Sequence, residues 1–194
     1  MAGLPDSITE VLARGVATSA EIQRALDLSQ PSVSRALAAM GDAIVRIGQR
    51  RAARYGLPLD IPGIGSTWPV FAVSETGEPE LLGRLTSLYR DQYWFDAKQT
   101  DRSEVTDGLP FFLQDLRPQG FIGRTVPKRY PELGLPERIT DWKDSDVLTY
   151  LVRRGDDGIG NILVGDESLQ RFLRQARTPI QAIDIANRHI DYMS

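Results

Sequence analysis

The chain has 194 residues, which suits one or two domains, and its 41% hydrophobic and 25% charged content excludes wholesale disorder. It holds no cysteine, which excludes a disulfide framework and any thiolate metal site, and its single histidine, His189, leaves no material for a Cys/His or multi-histidine centre. The net charge of −3 is unevenly spread: residues 1–58 sum to +2 and the remainder to −5. The acidic remainder would repel DNA, so it suits protein contacts or a separate task.

Met1 to Asp6 lack the basic and apolar segments of a secretory signal, and no apolar run approaches the ~20 residues of a membrane span. A soluble cytoplasmic protein without a membrane partner is expected. Ile8, Val11 and Leu12 have helical spacing, which predicts a first helix over Ser7 to Arg14, stopped by Gly15. Thr18-Ser19-Ala20-Glu21 reads as a capping box opening a second helix, Glu21 to Leu26, closed by Asp27. A third begins after Ser29, carries Pro31 in its first turn and runs to about Met40, with Gly41 at its end. Val33, Ala36, Leu37 and Met40 share one face of it, so that face can bury while the other stays free.

The apolar Ile44-Val45-Arg46-Ile47, the turn Gly48-Gln49-Arg50-Arg51 and the stretch Ala52 to Leu57 read as a hairpin. Three helices followed by a hairpin is the order of a winged helix-turn-helix, here residues 1–58. Short polar and basic groups on the third helix are what base edges and phosphates require. The candidate DNA-binding residues are therefore Ser29, Gln30, Ser32, Ser34 and Arg35 on the helix, with Arg46, Arg50, Arg51 and Arg54 on the wing. Between residues 30 and 55 there are five arginines and one acid, Asp42, so the wing arginines lack neighbouring carboxylates in sequence. The expected partner is double-stranded DNA, bound by two copies of the module. A winged helix used only for protein contact is the alternative.

Pro58, Pro62, Gly63 and Gly65 mark a linker over 59–67. A second unit, 68–194, opens with strand candidates at Pro69 to Val73, Glu80 to Leu85 and Gln92 to Asp96, and residues 98–108 read as loop. Leu109 to Arg117 has helical spacing and reads as a buried helix. Further helices are expected from a cap at Asp144 or Ser145 through Arg154, from Asp166 to Ala176, and from Thr178 to about Met193, with a short strand over Gly160 to Val164. The overall class is α+β, a helix-turn-helix unit followed by a small α/β domain.

Little in the second unit reads as catalytic. Asp144, Asp146, Asp156 and Asp157 are explained by a helix cap and an Asx-type turn. Gly155 to Asn161 is glycine-rich but has no Gly-Lys-Ser/Thr, so it reads as a turn into a strand and not as a phosphate loop. Tyr93, Trp94, Phe111 and Phe112 could stack on single-stranded bases, but their mixture with Leu109, Leu113 and Leu116 assigns them to a core.

The segment Gly108-Leu109-Pro110-Phe111-Phe112-Leu113-Gln114-Asp115-Leu116-Arg117-Pro118-Gln119-Gly120-Phe121-Ile122-Gly123-Arg124 resembles the HipA-like serine/threonine kinase (toxin) family, whose N-terminal subdomain carries a similar Phe-x-x-x-Leu-x-Pro-x-Gly segment. Trp142 and Asp146 to Asn161 look like that family's helix and following turn, and Leu82 to Leu85 with Tyr93 to Phe95 look like its opening strands. The likeness covers roughly residues 68–190. With a helix-turn-helix in front, it is greatest to the subgroup in which a DNA-binding domain precedes the kinase, the YjjJ or HipH type.

The resemblance implies an outer kinase N-lobe subdomain in a toxin–antitoxin setting. In that family the nucleotide loop, phosphate-contacting lysine, catalytic aspartate and metal-binding acids all follow this subdomain, so no catalytic, cofactor or metal residue carries over. ATP and magnesium would belong to that core and not to this chain. The function implied is a DNA-binding regulatory portion of a HipA-like toxin or kinase, not catalytic by itself, with a kinase-like core in cis or in trans and a possible homodimer. The alternatives are a stand-alone transcriptional regulator or antitoxin-like partner of a separate kinase, and a nucleic-acid-processing enzyme targeted by its winged helix.

Overall fold

The computed structural model describes residues 3–48, 53–99, 103–157 and 160–177. The first elements are α1 (Leu4–Leu12), β1 (Ala17–Thr18), α2 (Ser19–Leu26), α3 (Gln30–Met40), β2 (Val45–Ile47) and β3 (Arg54–Gly56). Helix α1 begins three residues before the predicted Ser7, because Pro5 fits a first turn and the Asp6 carboxylate accepts the Gly3 amide at 2.8 Å. It also stops earlier, at Leu12, followed by a turn through Gly15 at φ 127°. The α2 capping box is reciprocal: Thr18 Oγ1 accepts the Glu21 amide at 3.2 Å, and the Glu21 carboxylate accepts the Thr18 amide at 2.7 Å. Helix α3 has the predicted bounds.

Ile8, Leu12, Ile22, Val33, Ala36, Leu37 and Ile44 are buried together. Each fully buried aliphatic side chain there contributes about 1.5–3 kcal/mol, so α3 is held by its apolar face and not by propensity. The predicted hairpin is part of a three-stranded antiparallel sheet, order β1-β3-β2. Ala17 pairs with Tyr55 and Thr18 with Arg54, while Arg46 faces Tyr55 from the other side. The two residues of β1 are too few to carry an alternation pattern, so the third strand is invisible to sequence periodicity.

Residues 59–67 lie along the neighbouring sheet. The Leu59 amide donates to the Ser87 carbonyl at 2.9 Å, the Ser87 hydroxyl donates to the Leu59 carbonyl, and Ile61 is buried. Next come β4 (Thr67–Val73), β5 (Pro79–Leu88), β6 (Gln92–Ala97) and β7 (Ser103–Asp107), then α4 (Phe111–Gln114), α5 (Gly120–Arg129), α6 (Asp144–Arg154), β8 (Ile162–Val164) and α7 (Asp166–Arg177). The strands form one antiparallel sheet, order β7-β6-β5-β4-β8. Gly83 is required where β5 meets β6, because a Cβ there would lie 2.3 Å from the Asp96 carbonyl oxygen. Helix α6 supplies Val147, Leu148, Leu151 and Val152 to the core beside Trp68, Val70 and Leu85.

Four expectations for this unit are corrected. Residues 103–107 form the edge strand β7 where a loop was expected, because an edge strand paired on one side tolerates a polar sequence. The helix expected over Leu109 to Arg117 is only the four-residue α4, and Phe111, expected in the core, is 80% exposed. Pro118 disfavours helical backbone at Arg117, which instead donates to the Trp142 carbonyl at 2.8 Å and to the Asp144 carboxylate at 2.7 Å. Helix α5 was masked in sequence by Gly120, Gly123 and Pro127. The cap of α6 is Lys143, whose amide donates to Asp146 at 2.8 Å, and not Asp144 or Ser145. The helix expected from Thr178 to Met193, with His189, lies outside the described residues.

The two units touch directly. The Val16 amide donates to Gln92 Oε1 at 3.1 Å, the Tyr89 amide to the Leu57 carbonyl at 3.1 Å, and Arg90 to the Arg14 carbonyl at 3.3 Å. No helix among the described residues is long and apolar enough to cross a membrane.

Candidate nucleic-acid interface

Helix α3 buries Val33, Ala36 and Leu37, which turns Gln30, Ser34 and Arg35 to solvent. Gln30 and Ser34 are one turn apart and line a groove of about 430 Å³ shared with the start of α2 and with the β2–β3 hairpin. Arg46 from β2 lines the same groove, with Leu37 and Tyr55 as its apolar contribution. No carboxylate is among the described residues that line it.

Three of the nine predicted residues, Gln30, Ser34 and Arg46, thus meet in one place. The others do not. The Ser29 and Ser32 hydroxyls lie 3.0 Å apart and satisfy one another at the start of α3. Arg35 is exposed beside the groove, and its Nε donates to the Pro31 carbonyl at 3.4 Å. Arg54 pairs with Thr18 across the sheet and lies close enough to Glu21 to stabilise its carboxylate, so the expectation that the wing arginines lack neighbouring acids fails at Arg54. Arg50 and Arg51 lie outside the described residues. Among the described residues neither Arg35 nor Arg46 has an acid within salt-bridge distance.

Sequence reasoning missed the contribution of α2. Thr18, Ser19, Ala20 and Gln23 form one wall of the groove. The signal was available, because a capping box fixes where the first free backbone amides of a helix lie, and those amides favour anions. The Thr18 hydrogen bonds hold the Glu21 carboxyl below the ordinary glutamate range, with Arg24 and Arg54 adding to the effect. Glu21 is thereby occupied with the cap. Elsewhere, no group of three or more histidine, aspartate or glutamate side chains among the described residues has the placement to hold a metal ion.

Residues 64–173 match the family model of the YjjJ-like toxin middle domain. The chain is 33% identical over 178 residues to the protein named Toxin YjjJ of Escherichia coli (strain K12), which covers 86% of this chain and 37% of that relative. The chain therefore spans little more than a third of that curated relative's length. No solved structure matches it. The match takes in β4 to β8 together with α4 to α6 and most of α7, and with it the chain belongs to the YjjJ-like toxin family.

Proposed function

We propose that residues 1–58 are a winged helix-turn-helix that binds double-stranded DNA, and that the chain is the DNA-binding regulatory portion of a HipA-like toxin or kinase. The observation that carries this reading is the groove into which Gln30, Ser34 and Arg46 converge from two different elements, with no carboxylate among the described residues that line it. Helix α3 lies in the major groove, where Gln30 and Ser34 meet base edges. Arg46, Arg35, Arg50 and Arg51 contact phosphates, and the amides at the start of α2 take another. Arg54 contributes less, because Glu21 lies beside it.

Residues 68–194 are read as the outer part of a kinase N-lobe, and ATP and magnesium are assigned to a kinase core and not to this chain. Nothing in the chain matches a phosphate-contacting lysine or catalytic aspartate, so it does not phosphorylate by itself. Phe111 and Phe121, 80% and 84% exposed, offer that core an apolar docking point in cis or in trans. Footprinting on the DNA upstream of its own gene tests the first part. Protection over a bounded site, repeated about one helical turn away in a dimer, is expected. Uniform cleavage at all protein concentrations would remove the DNA-binding assignment.

A further inference from the structure

A second cavity, of about 430 Å³, lies where the chain passes from the first unit to the second. Residues 59–62 form one wall, the end of β5 and the start of β6 another, and residues 133–135 with the start of α6 close it. Its lining is amphipathic. Leu59, Ile61, Leu88, Leu133 and Leu135 are apolar, while Asp60, Asp91 and Asp146 oppose the single cation Lys143.

The polar groups differ in how fully they are used. Asp146 already accepts the Lys143 amide, the Thr149 hydroxyl donates to the Ser145 carbonyl, and the Ser87 hydroxyl donates to Leu59. Asp60 and Asp91 have no ion pair among the described residues. Tyr93, which also lines the cavity, is 3% exposed, and its hydroxyl has no hydrogen-bond partner among the described residues. The ring is packed in the core while the hydroxyl is not among the buried unpartnered polar atoms, so it is open to the cavity that Tyr93 lines and can bond a ligand there. Burial, then Asp144 and Asp91, push its ionisation far above the ordinary tyrosine range, so it stays a neutral donor and acceptor.

We infer that this cavity binds a small organic cation, a primary amine or guanidine carried on an apolar body. The excess of carboxylates repels an anion and holds the cationic head, the leucines and Ile61 take the body, and the Tyr93 hydroxyl completes its hydrogen bonding. A metal ion is disfavoured, because the carboxylates here do not gather into a three-ligand set. The inference is independent of DNA binding.

Calorimetric titration of the whole chain with tyramine and with agmatine tests it, with 4-hydroxyphenylacetate as the anionic counterpart of tyramine. Saturable binding and a raised Tm are expected for at least one amine and not for the carboxylate. The double substitution Asp60→Asn with Asp91→Asn should weaken binding by about tenfold or more. Tyr93→Phe, which keeps the packed ring, should weaken it several-fold without lowering the Tm of the free protein. Absence of saturable binding by both amines, equal affinity in the variants, or tighter binding of the carboxylate would overturn the inference.

Discussion

Gln92 accepts the Val16 amide through its side-chain carbonyl at 3.1 Å, so a residue of β6 completes the hydrogen bonding just ahead of β1. The same side chain donates to Asp107 at 3.0 Å, which fixes its orientation. The first unit is thereby joined to the sheet by a polar clamp, with Gly56 packed closely against Leu88 beside it.

Gln92→Ala leaves the part-buried Val16 amide without its acceptor. We expect a loss of about 1–3 kcal/mol in chemical denaturation. An unchanged midpoint would mean that the two units do not depend on this contact in solution.

Arg46 and the pair Gln30 and Ser34 should act differently on DNA binding. On the proposed reading Arg46→Ala removes one phosphate contact, so affinity should fall for all sequences and the salt dependence should flatten by about one unit of slope. Gln30→Ala and Ser34→Ala should cost about 1–3 kcal/mol on a cognate duplex and little on random DNA. Anisotropy titrations across a salt series separate the two patterns, and identical profiles for all three variants would refute the assignment of roles. Arg35→Ala should follow Arg46→Ala.

Thr18→Ala breaks the capping box of α2 and should destabilise the protein by about 0.5–2 kcal/mol. The Glu21 carboxyl is held below its ordinary range by the Thr18 hydrogen bonds. Its contribution is therefore full above the ordinary carboxylate pKa and is lost as the pH falls through its own lower value. Glu21→Gln should reduce stability near neutrality and flatten that acid limb in thermal melts taken from pH 7 downward. An acid limb of unchanged steepness would contradict this.

Leu113 and Phe111 are neighbours on α4 with opposite fates, one fully buried and the other 80% exposed. Leu113→Ala should cost about 2–5 kcal/mol, whereas Phe111→Ala should stay within about 0.5 kcal/mol. A large loss at Phe111 would place that ring in a core.

The first unit was largely legible in the sequence because its signals are local. The Thr18–Glu21 box, Ser29 with Pro31, and the spacing of Val33, Ala36 and Leu37 each act within one or two helical turns. The groove itself was only half legible, since Gln23 and Ser19 reach it through the packing of α2 against α3. In the second unit, Asp144 reads as a cap in isolation, but its carboxylate accepts the Leu109 amide at 2.8 Å from 35 residues away. Such long-range partners also explain why α4 stops short and why the polar β7 is a strand. Glycine and proline in α5 mask a helix that the neighbouring structure sustains.

The most direct measurement is fluorescence anisotropy of this chain with its own promoter duplex and with random duplex, each at two salt concentrations. We expect binding to both at low salt, a steep loss as salt rises, and a promoter preference that survives at the higher salt. No binding to either duplex at low salt would contradict the proposed DNA-reading role and leave the first unit as a surface for protein contact.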